Sequence, residues 1–165
     1  MIVIDVKELG AGKGVFRGEE TGAVLDLADE EDLCVIGPVQ YDLTAEMANG
    51  NLVVRGTVEA DISFACVRCA EFFSKKVSDS SFLRVFEDIE DDIEAADLTA
   101  DVRESIILAF PTSPVCDQNC KGLCSRCGTN LNKAACTCQS ALTDERWNVL
   151  DSLKQDQPTS SGGSS

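Results

Sequence analysis

The sequence predicts an α+β protein: an antiparallel β-sheet or a partly closed barrel, one main helix, a C-terminal knuckle segment and a short terminal helix. Three observations carry this prediction. The first half of the chain alternates between apolar and polar residues, as half-buried strands do. Apolar residues then recur at a helical spacing. Eight of the nine cysteines fall into closely spaced pairs, most of them near the C-terminus.

Two strands and the turn between them give the clearest local signal. Residues 39–47 and 52–64 alternate between apolar and polar side chains, which is the pattern of a strand with one buried face. Asn49-Gly50 separates them and is typical of a two-residue hairpin turn. Gly56 lies on the apolar side of the second strand and indicates a bend or a bulge. The residues expected to face inward are Leu52, Val54, Val58, Ala60, Ile62 and Phe64.

Further strands are expected over residues 2–6, 71–77 and 82–86, where β-branched and aromatic residues recur. Residues 10–22 are rich in glycine and are expected to form a long loop. Cys34 lies in the apolar run Leu33-Cys34-Val35-Ile36 and is expected to be a buried core thiol.

One main helix is predicted over residues 98–110. Pro111 stops it, and either Asp97 or Thr99 can cap its start. Residues 87–97, just before it, carry seven carboxylates and are interpreted as a solvated, mobile linker. The helical stripe expected to be buried consists of Leu98, Val102, Ile106 and Ala109.

These elements divide the chain into three parts. Residues 1–110 are expected to form an antiparallel sheet domain that includes the helix 98–110. Residues 111–154 are expected to form a cysteine-rich segment that ends in a short helix at about 143–154, with Trp147, Leu150 and Leu153 facing the body. Residues 155–165 are polar, contain Ser, Gly and Pro, and are expected to be a disordered tail.

The composition argues against several classes of protein. With 29 acidic and 14 basic residues, the formal charge is −15, which disfavours binding to bare phosphate backbones. Because histidine is absent, a histidine-dependent triad and a mixed Cys/His zinc site are excluded. The N-terminus lacks the pattern of a secretory signal, and no apolar run is long enough for a membrane helix. We therefore expect a cytoplasmic protein with no membrane partner and no small-molecule substrate.

The paired cysteines predict two zinc ions. Zinc prefers four soft ligands in a tetrahedron, and tight turns such as C-x-x-C bring two thiolates to one ion. Four pairs can be combined into two sites in three ways, and the low entropic cost of closing a short loop favours joining the last two pairs. The expected ligands are Cys124, Cys127, Cys136 and Cys138 at this local site, and Cys66, Cys69, Cys116 and Cys120 at the second site.

Other interpretations of the cysteines stay open. Disulfides would require an oxidising compartment, and an iron–sulfur cluster also uses four thiolates. A redox C-x-x-C would leave six other paired cysteines unexplained. If both sites are closed by four protein ligands, neither has an open coordination position, so the zinc would be structural and the protein would not be an enzyme.

Basic residues are concentrated near the cysteines. Residues 66–76 and 111–138 together contain six basic and only two acidic residues. Two interpretations follow: the cations neutralise the charge of the thiolate clusters, or they form a small face that contacts RNA or a protein. These basic residues are Arg68, Lys75, Lys76, Lys121, Arg126 and Lys133.

The cysteine block resembles that of the YceD family, which is named for accumulation of large-subunit ribosomal RNA. The matching segments are Cys66-Val67-Arg68-Cys69-Ala70-Glu71, Val102-Arg103-Glu104, Leu108-Ala109, Pro111, Pro114-Val115-Cys116, the run from Cys120 to Asn132, Cys136-Thr137-Cys138 and the late Asp144-Glu145-Arg146-Trp147. The resemblance implies a non-enzymatic role in biogenesis of the large ribosomal subunit, with ribosomal RNA or a basic large-subunit ribosomal protein as the partner. The alternative from another class is a thiol-based redox or metal-handling protein.

Overall fold

The computed structural model describes residues 1–7, 9, 12–28, 30–87 and 95–138. Within them, six strands and one α-helix follow one another along the chain. The elements are β1 (Val3–Asp5), β2 (Lys13–Glu20), β3 (Leu33–Ala48), β4 (Asn51–Ala65), β5 (Phe72–Phe86), β6 (Ala95–Asp97) and α1 (Thr99–Leu108), with a 3₁₀ helix at Gly22–Leu25 between β2 and β3.

The main sheet is antiparallel and open, with the strand order β2-β3-β4-β5. The alternative of a partly closed barrel is therefore not formed by the described strands. Ala48 pairs with Asn51 across the predicted hairpin turn, where Asn49 and Gly50 have φ angles of 53° and 81°. Two positive φ angles characterise the turn whose twist matches that of paired strands.

One face of this sheet is covered by the helix and by a two-stranded sheet in which β1 pairs with β6. The buried residues of β4 are the six that the alternation predicts. The predicted helical stripe is also confirmed: Leu98, Val102 and Ile106 are fully buried, and Ala109 packs against the same core. At about 25 cal/mol per Å² of apolar surface, this burial is the main force that holds the helix on the sheet.

The bulge predicted at Gly56 is present. The register between β4 and β5 shifts between Gly56 and Val58. A Cβ atom at Gly56 would collide with the carbonyl oxygen of Asp42 on β3. The strand therefore needs glycine here because the neighbouring backbone comes too close for a side chain.

Three predictions in the sheet are wrong. Residues 10–22 do not form a long loop, because β2 occupies Lys13–Glu20; its Gly18 leaves room for the ring of Tyr41 on β3. The two runs at 71–77 and 82–86 are one continuous strand, β5. Cys34 is exposed because it points away from the core, while its neighbours Leu33 and Val35 pack against the core.

The start of the helix differs in detail from the prediction. Leu98 is the N-cap residue and offers no side-chain hydrogen bond, but the Asp97 carboxylate accepts the N–H of Thr99 at 2.8 Å. The Thr99 hydroxyl instead accepts the N–H of Ile2 at 2.9 Å, which ties β1 to the helix. Asp97 belongs to β6, so the last three residues of the acidic run 87–97 form a strand and not a mobile linker.

Several predictions fall on other parts of the chain. The acidic residues 88–94, the terminal helix at 143–154 and the tail 155–165 lie outside the described residues. The division into domains at residue 110 stays a prediction. No helix in the described part of the chain is long and apolar enough to cross a membrane.

Candidate metal centre

The first pair of cysteines lies in the turn that follows β4. The N–H of Cys66 donates to the carbonyl of Glu71, and the N–H of Ala70 donates to the carbonyl of Cys66, both at 2.9 Å. Ala70 adopts a φ of 57° to close this turn. Cys66 and Cys69 are thereby held side by side, 2% and 4% exposed, at one end of the sheet.

The segment after α1 brings a second pair to the same point. The carbonyl of Pro114 accepts the N–H of Val67 at 2.9 Å. The Arg68 guanidinium donates to the carbonyls of Gln118 and Cys120 at 3.0 and 3.2 Å. As a result, the sulfur of Cys120 lies 3.9 Å from that of Cys66. The fourth sulfur, of Cys116, lies 3.7 Å from that of Cys69. We call the cluster of Cys66, Cys69, Cys116 and Cys120 the inner tetrad.

The remaining paired cysteines form a local cluster. The N–H of Cys124 donates to the carbonyl of Thr129 at 2.8 Å, and Gly128 closes the turn with a φ of 71°. The sulfur of Cys136 lies 3.3 Å from that of Cys124 and 3.5 Å from that of Cys127. We call the cluster of Cys124, Cys127, Cys136 and Cys138 the outer tetrad.

Both clusters have the dimensions of a four-thiolate metal site. In each tetrad the four sulfurs lie within 4.8 Å of one another. A tetrahedral ion with metal–sulfur bonds of about 2.3 Å separates its sulfurs by about 3.8 Å. The closest sulfur pairs, at 3.3 to 3.9 Å, are near this value. The two groups are the same as those favoured from loop closure, so the donor sets fit zinc with four thiolate ligands.

The two tetrads differ in exposure. In the inner tetrad Cys66, Cys69 and Cys120 are buried and only Cys116 is exposed. In the outer tetrad Cys127 and Cys138 are exposed, and Cys124 and Cys136 are half-buried. The inner tetrad is thus part of the packing between the sheet and the following segment, whereas solvent reaches the outer one.

Protons are shared unequally among the inner thiols. The backbone N–H of Cys116 is the main cause that lowers the pKa of Cys66 to about 6. Desolvation, followed by hydrogen bonds with the neighbouring cysteines, raises the pKa of Cys116 to about 12. One thiolate therefore forms readily, while a second negative charge beside it is resisted. A divalent cation bound among the four sulfurs would offset this repulsion between thiolates.

The outer thiols follow the same pattern. The hydroxyl and the N–H of Thr129 are the main causes that lower the pKa of Cys127 to about 6. Hydrogen bonding with Cys136 is the main cause that raises the pKa of Cys138 to about 12. Backbone amides at Cys127 and Arg126 also lower the pKa of Cys124. Amides directed at sulfur are the usual support of a metal-bound thiolate in a knuckle turn.

Some of the six predicted basic contact residues already have partners in the fold. Lys133 is paired with Glu71 at 2.7 Å, and Lys76 is paired with Glu59 on the sheet at 3.1 Å. Arg68 is used to hold the inner tetrad together. Three of the predicted contact residues are exposed and form no ion pair within the described ranges. They are Lys75, Lys121 and Arg126.

Sequence reasoning missed one polar residue of the centre. The side-chain N–H of Asn132 donates to the sulfur of Cys120 at 3.2 Å. Burial raises the pKa of Cys120, but this hydrogen bond, the N–H of Gly122 and hydrogen bonds with Cys69 and Cys116 lower it, so the net shift is downward. Cysteine spacing carries no information about such a donor. Its place at the end of the family-like run from Cys120 to Asn132, shortly after the Gly128 turn, is the signal that the sequence offers.

The fold and the two tetrads define a class of protein: a β-sheet domain joined to a C-terminal segment with two four-cysteine clusters. Residues 54–154 match the family model described as large ribosomal RNA subunit accumulation protein YceD. Because this match covers more than half of the chain, the protein belongs to the YceD family. The resemblance read from the cysteine block is therefore confirmed.

Individual relatives support the same assignment. The large ribosomal RNA subunit accumulation protein YCED homolog 1, chloroplastic, of Arabidopsis thaliana is 30% identical over 71 residues, which are 43% of this chain and 22% of that protein. The maize protein of the same name is 46% identical over 44 residues, 26% of this chain and 15% of its own length. The Mycobacterium leprae protein ML1660 is 31% identical over 146 residues, 79% of this chain and 67% of that protein. No solved structure matches this chain.

Proposed function

We propose that this protein is a non-enzymatic factor in the accumulation of large-subunit ribosomal RNA, and that structural zinc stabilises it. The observation that carries the proposal is the family match over residues 54–154, whose description names large ribosomal RNA subunit accumulation. The chain spans less than a quarter of the length of the chloroplast relatives with that name. The role in their name is therefore proposed for this protein only on the basis of the segment that they share.

The zinc would act through folding. In the inner tetrad, Cys66 and Cys69 belong to the sheet and the other two ligands follow the helix, so one ion would fasten two distant parts of the chain. In the outer tetrad, an ion would close a segment that has little apolar packing of its own. Structural zinc contributes on the order of 10 kcal/mol to such small folds. With four protein ligands at each ion, no position is left for a substrate.

The charge favours a basic protein as the direct partner over naked RNA. Eight thiolates and two divalent ions add a net charge of about −4 to the formal −15 of the chain. Even the cysteine end is then close to neutral, because its excess of cations matches this added charge. A basic large-subunit ribosomal protein would be attracted to the acidic remainder of the chain, while RNA contact would be limited to exposed cations such as Lys121 and Arg126.

Affinity capture from growing cells tests this role. The tagged protein is recovered at low and moderate salt, and both the bound RNA and the bound proteins are identified. We expect large-subunit precursor particles that contain a basic ribosomal protein, with recovery that falls as salt rises. Recovery of no ribosomal component under either condition would contradict the proposed role.

A second candidate function, thiol-based redox or metal handling, is favoured by the exposure of the outer tetrad and the low pKa of Cys127. Thiol counting separates the two functions. If zinc occupies both tetrads, only the exposed Cys34 reacts quickly with a thiol reagent, and all nine cysteines react after a strong chelator and denaturant are added. Four or more rapidly reacting thiols in the freshly isolated protein would favour the redox function. Fewer than nine thiols after denaturation would indicate disulfides.

A further inference from the structure

The segment between two ligands of the outer tetrad reaches across to the inner tetrad. Residues 128–135 lie between Cys127 and Cys136, and Asn132 is in the middle of this segment. The side-chain nitrogen of Asn132 donates a hydrogen bond to the sulfur of Cys120, and the two atoms lie 3.2 Å apart. The amide oxygen accepts the backbone N–H of Lys121 at 2.8 Å. Asn132 therefore contacts both an inner ligand and the residue that follows it.

A small network holds Asn132 in this orientation. The other contact of its side-chain nitrogen is the Asn130 oxygen, at 3.0 Å. The N–H of Leu131 donates to the carbonyl of Gly122 at 2.9 Å. Lys133 donates to Glu71, beside the inner tetrad, at 2.7 Å. The donors and the acceptor of the Asn132 amide are all used, so the side chain is fixed only while this segment keeps its shape.

The outer tetrad brings the two ends of the segment together. The sulfurs of Cys127 and Cys136 lie 3.5 Å apart and close it at both ends. The segment is mostly exposed, so apart from its hydrogen bonds it buries little surface that could order it, and Asn132, Lys133 and Ala134 are all exposed. Metal in the outer tetrad supplies this closure, because loop ends held at one ion lose the entropy that would otherwise move Asn132 away.

We propose that Asn132 couples the two metal sites: zinc in the outer tetrad positions the Asn132 amide against Cys120 and so raises the affinity of the inner tetrad for zinc. This inference rests on the proposed zinc sites. An N–H directed at a zinc-bound thiolate stabilises its negative charge without binding the metal, and loss of such a partner costs about 10- to 100-fold in metal affinity. Coupling between sites is reciprocal, so the inner ion strengthens the outer site by the same factor.

Zinc competition with a chromogenic chelator tests the proposal on four variants. They are Asn132→Ala, the outer-site variant Cys127→Ser/Cys136→Ser, their combination, and Asn119→Ala as a matched control. Asn119 is exposed in the same cysteine-rich part of the chain, and within the described residues its side chain makes no hydrogen bond to a sulfur. Cobalt in place of zinc gives a second readout, since its thiolate absorption reports how many sulfurs remain bound.

We expect Asn132→Ala to weaken the inner site at least about 10-fold while two ions are still bound. The outer-site variant should weaken the inner site by a similar factor, and the combination should be no weaker than either alone, because both changes remove one interaction. Asn119→Ala should match the parent protein. Cobalt absorption of an intact inner site in Asn132→Ala would show that the weaker binding does not come from unfolding.

Three results would overturn the coupling. The inner site could be unchanged in Asn132→Ala, it could be unchanged when the outer site is removed, or the two losses could simply add. A parent protein that binds no zinc or cobalt would instead overturn the metal sites themselves. The failure of the coupling and the failure of the proposed zinc sites are thus distinguishable.

Discussion

At the scale of single residues, the most informative groups are those that a helical or strand pattern does not explain. Asp79 on β5 accepts the hydroxyl of Ser105 from α1 at 2.6 Å and the N–H of Ser81 at 2.8 Å. The bond from Ser105 joins the helix to the edge strand of the sheet beside the bulge at Gly56, and the bond from Ser81 holds the Asp79 carboxylate in place. Alternation of apolar residues located the buried faces of both elements but could not reveal this polar connection, because it depends on how the helix is placed.

Asp79→Asn should destabilise the protein in a pH-dependent way. The Ser105 hydroxyl, followed by Ser81, holds the pKa of Asp79 below its usual value of about 3.9. Its stabilising contribution is therefore fully present above about pH 4 and is lost as the pH falls through the lower folded pKa. We expect a loss of about 1–2 kcal/mol in the free energy of unfolding at pH 7 and a smaller difference from the parent below pH 4.

Urea unfolding at several pH values measures this effect. Asp32→Asn is the matched control, because Asp32 is exposed and its carboxylate has no hydrogen bond among the described residues. A loss at pH 7 that is equal in the two variants, or one that persists unchanged to pH 3, would contradict the role of the Asp79 carboxylate.

Gly56→Ala should be the most damaging small substitution in the sheet. Its Cβ would overlap the backbone of Asp42 and come within 2.9 Å of the Cα of Leu43, and backbone cannot move aside cheaply. Overpacking of this kind costs about 1–3 kcal/mol. Gly37→Ala serves as the control, because its nearest new contact is an ordinary 3.9 Å to the side chain of Asp61. Thermal unfolding compares the two, and equal melting temperatures would contradict the close approach at Gly56.

At the scale of elements, the sequence predicted strands and helix where periodicity was strong and failed where glycine carried a different meaning. The long alternating runs of β3 and β4 and the stripe of α1 are confirmed. The strand β2 was missed, since its glycines were interpreted as loop residues although Gly18 only makes space for Tyr41. Cys34 was misplaced because one residue of register decides which face a side chain lies on.

The two tetrads should respond differently to loss of a ligand. Cys66→Ser removes a ligand that joins the sheet to the segment after α1, so it should cost one ion, lower the melting temperature of the whole protein and loosen that segment. Cys136→Ser should cost the outer ion while the sheet keeps its own unfolding transition, because the outer tetrad is formed within residues 124–138. Elemental analysis counts the ions, and limited proteolysis followed by mass spectrometry locates the loosened segment.

The parent protein and Cys34→Ser are the controls for this comparison. Cys34 lies outside both tetrads, so its replacement should leave two ions bound and the melting temperature within about 1 °C of the parent, as expected for an exposed side chain. If Cys66→Ser retained two ions, the inner tetrad would not be a metal site. If Cys136→Ser abolished all cooperative unfolding, the sheet would depend on the outer tetrad far more than its position indicates.

At the scale of the whole molecule, the cysteine spacing predicted more of the candidate site than the charges did. Loop closure favoured the grouping that the structure brings together, because short connections leave few other ways to gather four thiolates. The basic residues were interpreted either as neutralising the thiolate clusters or as a small contact face, and the sequence could not show that Lys76 and Lys133 are paired with acidic residues that are near them only in the fold. The guanidinium of Arg68 donates hydrogen bonds to two backbone carbonyls. Composition reveals the sum of charges but not which of them are already paired.

These pairings sharpen the expected behaviour toward ribosomal partners. The double variant Lys121→Glu/Arg126→Glu reverses two exposed cations near the tetrads without breaking an ion pair of the described residues. It should weaken any direct contact with large-subunit RNA and leave binding of a basic ribosomal protein unchanged or slightly stronger.

Reversal of Glu90, Asp91 and Asp92 in the acidic run should have the opposite effect: binding of the basic ribosomal protein should weaken several-fold at low salt and less at high salt. Lys13→Glu on β2, which also makes the net charge more negative, is the control for the cation variant. Binding of isolated RNA and of basic ribosomal proteins is measured for each variant over a salt series. Tight RNA binding that the acidic-run variant shares with the parent, with no ribosomal protein bound by either, would refute the acidic surface as the docking site. It would leave RNA contact through Lys121 and Arg126 as the better account.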